Sequence, residues 1–158
     1  MSTNFKLRLL LLVCFAAIGF SASAQSTVYV FIKSSGNSEV TVKLNGEAIT
    51  DLNGPVKKTI KPMPPMQIPM VMHEACYRKI TLNDEGKVLL SVDLLFTAAT
   101  TLAQTLMTGE AQLNLVPGSV HYVFATNKGL NDLQLKQLDE KEATKLFKKY
   151  VELPELQR

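Results

Sequence analysis

The chain has 158 residues, of which 46% are apolar and 20% charged. This composition is typical of a globular protein and excludes disordered, collagenous and disulfide-framework chains. The formal net charge is only +3, and lysine pairs such as Lys57-Lys58 and Lys148-Lys149 are too sparse for a nucleic-acid surface. We therefore expect no nucleic-acid partner.

Residues 1–24 have the features of an export signal. Lys6 and Arg8 form a basic start, an apolar stretch follows, and Ser21-Ala22-Ser23-Ala24 supplies a small-residue cleavage site. The apolar stretch is shorter than the roughly 20 residues of a transmembrane helix, although a signal anchor is the alternative. We expect a signal peptide over 1–24, a mature chain from Gln25 without a transmembrane segment, and export to the periplasm or the cell surface.

The two cysteines have different expected fates. Cys14 lies inside the signal, and its lipidation is disfavoured because Val13 stands where a small residue would be expected. Cleavage leaves Cys76 alone, so no disulfide can form within the mature chain. An unpaired cysteine is usually buried, and we expect burial of Cys76, with pairing between chains as the alternative.

Period-two alternation predicts strands in the first half of the mature chain. Thr27 to Lys33 is apolar on both faces, as a central strand is. The alternating run 40–44 leads into Asn45-Gly46, a pair typical of a two-residue hairpin because both positions of a type I′ turn require positive φ. Residues 48–52 then form the return strand, and 56–60 form a further short strand.

The middle of the chain is less regular. Residues 62–73 hold four of the seven prolines and four of the six methionines, which predicts an extended connection or an edge strand because proline cannot donate to a ladder. Residues 78–82 and 87–95 are predicted to pair as a hairpin through the turn at 83–86. Residues 96–108 fit either a short helix or a loop across one end of a sheet.

The last third predicts a hairpin and then a helix. Residues 113–124 alternate around the Pro117-Gly118 turn. Asp139 is a suitable N-cap, and an apolar stripe at helical spacing follows it, formed by Ala143, Leu146, Phe147 and Tyr150. We expect a helix over 139–152, ended by Pro154 and packed on the edge of a single domain at 25–138. The predicted fold is mainly β, an antiparallel β-sandwich or open barrel with one C-terminal α-helix.

Three segments resemble a family of exported bacterial domains of unknown function, which are themselves similar to surface modules with a Pro-Glu-Gly-Ala-type motif. The segments are Val28–Lys33, Val42–Gly46 and Leu115–Val123, which match an aromatic opening strand, an Asn/Asp-Gly hairpin and a Pro-Gly turn before a tyrosine strand. Lys33 stands where that family commonly has arginine, and residues 61–65 replace an expected Pro-Gly turn. The resemblance implies a β-sandwich over about 27–150 and no established catalytic residues.

One segment offers a set of soft metal ligands. Thioether, imidazole and thiol groups together suit Cu(I), and they are supplied here by Met63, Met66, Met70, Met72, His73 and Cys76. The competing interpretation is structural: in an extended segment Met66, Ile68, Met70 and Met72 share one face and fill irregular gaps in a core. We favour the structural interpretation and expect no metal and no cofactor, with a partner-binding edge as a third possibility.

Catalytic motifs are weak throughout the sequence. His73-Glu74-Ala75-Cys76-Tyr77 lacks the second histidine of a zinc-protease helix, and His121 alternates away from the apolar positions of its strand, which favours a surface or second-sheet position. No nucleophile elbow or phosphate loop is present. A carbohydrate-stacking platform would have to use Tyr29, Tyr77 or Tyr122.

These patterns favour a binding or scaffolding role over catalysis. We expect an exported, non-enzymatic module of the bacterial envelope, with an envelope protein or a glycan as its partner. Two other functions stay open: soft-metal binding through 63–76, and an enzyme whose residues converge only in three dimensions. A deep polar pocket that joins His121 or His73 to a carboxylate would favour the enzyme.

Overall fold

The computed structural model describes residues 25–33, 36–129 and 132–158, so the predicted signal segment lies outside the described residues. The described chain forms strands and one helix in the following order: β1 (Ser26–Ile32), β2 (Ser38–Leu44), β3 (Glu47–Asp51), β4 (Val56–Ile60), β5 (Met70–His73), β6 (Cys76–Leu82), β7 (Gly86–Thr97), β8 (Gln104–Leu115), β9 (Val120–Gly129), β10 (Asp132–Leu138), α1 (Glu140–Phe147) and β11 (Val151–Gln157).

The strands form two main sheets and a ribbon. The five-stranded sheet has the order β10-β9-β1-β6-β11, the four-stranded sheet has the order β3-β2-β7-β8, and β4 pairs with β5 alone. The predicted fold class, mainly β with antiparallel sheets and one C-terminal helix, is confirmed, in the form of an open sandwich. Within the five-stranded sheet β1 pairs in parallel with β9, and β11 pairs in parallel with β6. The alternation pattern carries no information about strand direction.

The core lies between the two main sheets. Val28, Val30 and Ile32 of β1 face inward, toward buried side chains of the other sheet such as Val42 and Val92. The opposite face of β1 carries Tyr29 and Phe31, which pack under α1. Both faces of β1 are therefore covered, and its prediction as a central strand is confirmed.

The Asn45-Gly46 hairpin is also confirmed. Asn45 has φ 50° and Gly46 has φ 85°, and they join β2 to β3 in antiparallel pairing. The Asn45 side-chain oxygen also accepts a hydrogen bond of 2.9 Å from the backbone N–H of Leu89. The turn is thus fixed to β7 as well as to its own two strands.

Two predicted hairpins are wrong. Residues 78–82 and 87–95 do form strands, but β6 belongs to the five-stranded sheet and β7 to the four-stranded sheet. The same is true of the strands around Pro117-Gly118, because β8 and β9 also lie in different sheets. Alternation reports which side chains are buried and not which strand lies alongside, so consecutive strands on opposite sides of a core look like a hairpin.

The prediction of a helix or loop for 96–108 is wrong over most of its length. β7 and β8 pair continuously from Gly86↔Leu115 to Thr97↔Gln104. Only residues 98–103 form a connection. It is closed by a hydrogen bond of 2.9 Å from the Leu102 N–H to the Ala98 carbonyl. The threonines of this segment suit a pleated surface, whereas the apparent helical spacing of its apolar residues is coincidental.

The C-terminal helix exists but is shorter than predicted. Asp139 caps it as expected, accepting a hydrogen bond of 2.7 Å from the Glu142 N–H. The helix ends at Phe147 rather than at 152, and Pro154 lies within the edge strand β11, where a missing donor is tolerated. α1 packs over the aromatic outer face of the five-stranded sheet, and not on its edge as predicted.

Asn37 attaches the β4–β5 ribbon to the sandwich. Its side-chain oxygen accepts a hydrogen bond from the Val71 N–H, and its side-chain amide donates to the Pro69 carbonyl at 3.0 Å. Its backbone N–H donates to the Val71 carbonyl at 3.0 Å, and its carbonyl accepts from the Thr97 N–H at 2.8 Å. One residue before β2 therefore joins β5 to the end of β7.

Candidate functional site

The residues of the alternative soft-metal site differ in their surroundings. Cys76 lies in the core between the sheets. His73 is on the opposite face of β5 from Met72, as neighbours on a strand are, and its Nδ1 lies 2.7 Å from the Gly54 carbonyl oxygen. Met63 lies in the turn that the Met66 N–H→Met63 carbonyl bond closes. Within the described residues no three His, Cys, Asp or Glu side chains are grouped as metal ligands would be.

The methionine stripe predicted for 66–72 is only partly extended and does not form core. β5 begins at Met70, so residues 66 and 68 are not on a continuous strand with it. Met66 and Met70 are half-buried, and Met72 is exposed. Met70 and Met72 lie on the separate β4–β5 ribbon, and neither belongs to the buried core between the two main sheets.

The burial predicted for Cys76 is confirmed. Its Sγ lies 3.8 Å from the Leu52 carbonyl oxygen. Burial raises the pKa of the thiol to about 11, against a lowering by the positive charge of Arg78. The thiolate is the reactive form of cysteine, so this side chain behaves as a small apolar core residue.

His121 lies at the other end of the sandwich, at the start of β9. In the parallel register it pairs with Val28, which places it on the inward face, consistent with the second-sheet position that the sequence favoured. Its Nε2 lies 3.1 Å from Ser119 Oγ, which is 3.3 Å from Ser26 Oγ. Ser119 also accepts from the Val116 N–H at 3.2 Å, so its hydroxyl is part of the turn around Pro117-Gly118.

The proposed carbohydrate platform is covered in the structure. Tyr29 and Tyr122 stack with ring centroids 5.4 Å apart, and the Phe147 ring meets Tyr29 at 5.1 Å and Tyr77 at 4.9 Å. Burial raises the pKa of Tyr77 to about 12, and a hydrogen bond with Glu152 acts in the same direction. These rings pack against α1, with Tyr77 buried and Tyr29 and Tyr122 half-buried.

Exposed apolar side chains instead collect at the end of the sandwich where β7 meets β8. Two segments form this surface, 62–72 and 94–106, and we call it the apolar end. They are joined by hydrogen bonds from the Gln67 N–H to the Ala99 carbonyl at 2.7 Å and from the Gln67 side chain to the Thr100 carbonyl at 3.0 Å. The most exposed apolar side chains here are Met63 (62%), Leu106 (61%), Leu102 (46%), Phe96 (39%) and Met72 (37%).

The apolar end carries no ionisable group. Residues 62–72 and 94–109 contain no Asp, Glu, Lys, Arg or His, and the charged residues begin again at Lys61, His73, Asp93 and Glu110. The sequence analysis missed this surface because it assigned 62–72 and 96–108 to separate local roles. Two charge-free intervals in one chain were the signal that could have revealed it.

Leu102 is held in an unusual backbone conformation at this surface. Its φ is 59°, a left-handed value that bulky residues rarely adopt and that is found where the surroundings impose it. The connection 98–103 imposes it through the Ala98 N–H→Ala103 carbonyl bond of 2.9 Å. A large apolar side chain is therefore fixed outward at the tip of the longest hairpin.

No protein-family model, curated protein or solved structure matches this chain. No helix among the described residues has both the length and the hydropathy needed to cross a membrane.

Proposed function

We propose that this protein is an exported, non-enzymatic binding module of the bacterial envelope and that the apolar end is its binding surface. Export is supported by the sequence of residues 1–24, and the resemblance to exported β-domains points the same way. A cluster of exposed apolar side chains on a small domain is typical of an interaction site, and here they lie on both faces of the β7–β8 hairpin near its tip. The observation that carries the proposal is that Gln67 joins 62–72 to the connection 98–103 by hydrogen bonds, so that two uncharged segments with exposed apolar side chains meet at one end of the sandwich.

The sandwich supplies a rigid support for such a surface. The β7–β8 hairpin is paired along its full length, and Asn37 joins its end to the methionine ribbon. Flexible, polarisable methionine side chains adapt to irregular partners. The ribbon therefore supplies adaptable contacts beside the fixed side chains of the hairpin.

A comparison of three immobilised proteins in an envelope extract tests the proposal. They are the wild type, a variant with Leu102→Ser and Leu106→Ser, and a control with Val116→Ser and Val120→Ser. The control changes two apolar residues of similar exposure at the other end of the sandwich. Val116 directly follows β8, and Val120 is the first residue of β9. The proposal expects an envelope component, whether protein, glycan or lipid, that the wild type and the control retain and the first variant loses.

The same experiment can contradict the proposal. If all three proteins retain the same components in the same amounts, the apolar end is not the binding surface. Thermal unfolding of each variant, followed by circular dichroism, checks that the two pairs of substitutions leave the fold equally intact.

A further inference from the structure

We infer that the apolar end inserts into the surface of an anionic phospholipid bilayer. The inference rests on the proposed function and names its ligand. It comes from the distribution of charge around the exposed apolar side chains and from the conformation of the loop that carries Leu102.

The exposed apolar residues of the hairpin lie at and next to its tip. Leu102 is in the connection between β7 and β8, and Phe96 and Leu106 are within a few residues of it along the two strands. Phe96 pairs with Thr105 and Leu95 pairs with Leu106, so Phe96 and Leu106 lie on opposite faces of the hairpin, and insertion of the tip would bury apolar side chains on both faces. Met63 extends the same surface on the neighbouring segment.

The absence of ionisable groups from these two segments suits lipid. Any charge carried into the hydrocarbon region would be costly, and segments 62–72 and 94–109 contain none. They also contain no Tyr, Trp or Arg, the residue types that dominate the binding energy of protein–protein interfaces. Leucine, methionine and phenylalanine without a directional partner fit acyl chains better than a protein surface.

Three exposed lysines lie on or just after β4, the strand that pairs with the methionine strand β5. Lys57, Lys58 and Lys61 are all exposed on or after β4, and Lys58 pairs with the exposed Met72 of β5. None of these lysines forms an ion pair among the described residues. On the outer face of the four-stranded sheet Glu39 pairs with Leu95 and Leu95 pairs with Leu106, so this carboxylate is two strands away from Leu106 and limits how far that side of the hairpin can insert.

An uncharged apolar tip with exposed lysines on the neighbouring ribbon matches a bilayer surface. Apolar side chains at the tip would reach the acyl region while the lysines of the ribbon meet the phosphates of anionic lipids, each lysine strengthening the attraction. The left-handed Leu102 keeps one of the inserting side chains outward before any lipid is met, so that less ordering is needed on binding. The charge complementarity selects an anionic membrane over a neutral one.

Vesicle sedimentation tests the inference directly. The exported protein is mixed with vesicles of equal parts phosphatidylglycerol and phosphatidylcholine, and with vesicles of phosphatidylcholine alone. We expect binding to the anionic vesicles that weakens as salt rises, because salt screens the lysines. Leu102→Ser with Leu106→Ser should weaken it by roughly tenfold or more, whereas Val116→Ser with Val120→Ser should leave it unchanged.

The lysines have a separate readout. Replacement of Lys57, Lys58 and Lys61 by glutamine should lower the affinity for anionic vesicles by roughly fivefold for each lysine removed. Replacement of Lys145, Lys148 and Lys149 on and after α1 is the matched control and should have a much smaller effect. Residues 1–24 are treated identically in every variant. A difference in binding between two variants therefore comes from the substituted residues.

A fluorescent reporter measures insertion itself. The chain has no tryptophan, so Leu106→Trp gives a single indole at the apolar end and Val120→Trp gives one at the opposite end. We expect a blue-shifted emission and protection from an aqueous quencher for Leu106→Trp on adding anionic vesicles, and no change for Val120→Trp.

Several results would overturn the inference. They are absence of binding to anionic vesicles, equal binding to neutral ones, and binding that Leu102→Ser with Leu106→Ser leaves intact. If the same pair of substitutions abolishes capture of an envelope protein but not vesicle binding, the apolar end is a protein-docking surface, and the proposed function stands while this inference fails. If it changes neither, both fail.

Discussion

Cys76 and Asp93 show how the position of a residue in the sandwich sets its chemistry. The first lies in an apolar core that disfavours its charged form. The second lies on the outer face of the four-stranded sheet, where Lys43 Nζ approaches it to 2.5 Å and Thr108 Oγ1 donates a hydrogen bond of 2.7 Å. Both residues titrate, but the structure pushes the two pKa values in opposite directions.

The thiol of Cys76 should not react in the folded protein. Because its pKa is raised to about 11 and its side chain is buried, a maleimide reagent near neutral pH should label it only after unfolding in urea. Mass spectrometry that locates the label on Cys76 checks this prediction. Val116→Cys supplies an exposed thiol that should react at once, and equally fast labelling of Cys76 would show that the core opens readily.

Asp93 should contribute stability that depends on pH. Burial would raise its pKa, but hydrogen bonds from Lys43 and Thr108 hold the pKa below its usual value. A carboxyl with a lowered folded-state pKa stabilises the protein above its unfolded pKa of about 3.9, and this contribution is lost as the pH falls through the folded pKa.

The variant Asp93→Asn measures that contribution. We expect it to lower the free energy of unfolding by about 1 kcal/mol at neutral pH, since the pair is partly exposed, and by much less near pH 2. Urea unfolding at both pH values checks this expectation, with Asp84→Asn, in an exposed turn, as the control. A loss of the same size at both pH values would assign the effect to packing rather than to charge.

The segments between the elements determine how the two sheets and the ribbon are connected. Gly54 lies where the chain passes from β3 to β4, and a Cβ built on it would lie 2.2 Å from the Glu74 carbonyl oxygen. The neighbouring Glu74 N–H donates to the Pro55 carbonyl at 2.9 Å. This crossing has no room for a side chain, and only glycine permits it.

Gly54→Ala should therefore destabilise the protein. The contact is with backbone, which cannot move aside as a flexible side chain can, and we expect a loss of about 2–3 kcal/mol. Gly36→Ala is the matched control, because its Cβ would lie at an ordinary 3.5 Å from the Val71 carbonyl oxygen. Chemical denaturation measures the free energy of unfolding of both variants. Equal values would mean that the chain crossing at Gly54 is less tightly packed than the structure indicates.

The elements themselves were predictable to the extent that their signals are local. The Asn45-Gly46 turn and the Asp139 cap depend on a few neighbouring residues, and both were predicted correctly. The sequence analysis interpreted Pro154 as the end of the helix, but it lies in the edge strand β11. An edge strand tolerates proline because one of its sides has no neighbouring strand, and residues close to Pro154 do not reveal this. The partners of β6, β7, β8 and β9 depend on contacts far along the chain, which alternation cannot report.

The candidate site was less predictable than the fold. The methionine segment was noticed, but its role depends on the connection 98–103, to which Gln67 is bonded. The sequence predicts a helix or a loop for the whole of 96–108, so the hydrogen bonds between this connection and Gln67 in the methionine segment could not be inferred. Composition alone showed both segments to be uncharged, but only the fold shows that they lie together.

At the scale of the whole molecule, α1 and the five-stranded sheet form a second, aromatic layer outside the main core. Phe147 is central to it, since its ring contacts Tyr29, Phe31, Tyr77 and Tyr122 at centroid distances of 4.9–6.1 Å. This layer fixes the segment between β10 and β11, so it also holds β11 beside β6.

Phe147→Ala should loosen this whole layer. We expect a loss of about 2–3 kcal/mol in the free energy of unfolding, from lost apolar burial and ring–ring contacts, together with a weaker near-ultraviolet circular dichroism signal from the tyrosines. Lys148→Ala, next to it and exposed, is the control and should change neither measurement. A full-strength tyrosine signal in Phe147→Ala would show that the layer does not depend on this ring.

The pairing of β1 has a consequence for how the chain reaches this structure. β1 has no partner nearby in sequence, because it pairs with β6 and with β9. The other neighbour of β6 is β11, which is the last strand of the described chain. Contacts of such long sequence separation must bear a large loop-closure entropy before they give any stabilisation, so folding should be slow for a domain of this size. β1 cannot pair before residues 76–82 have been synthesised, and its sheet is complete only when β9 and β11 have followed.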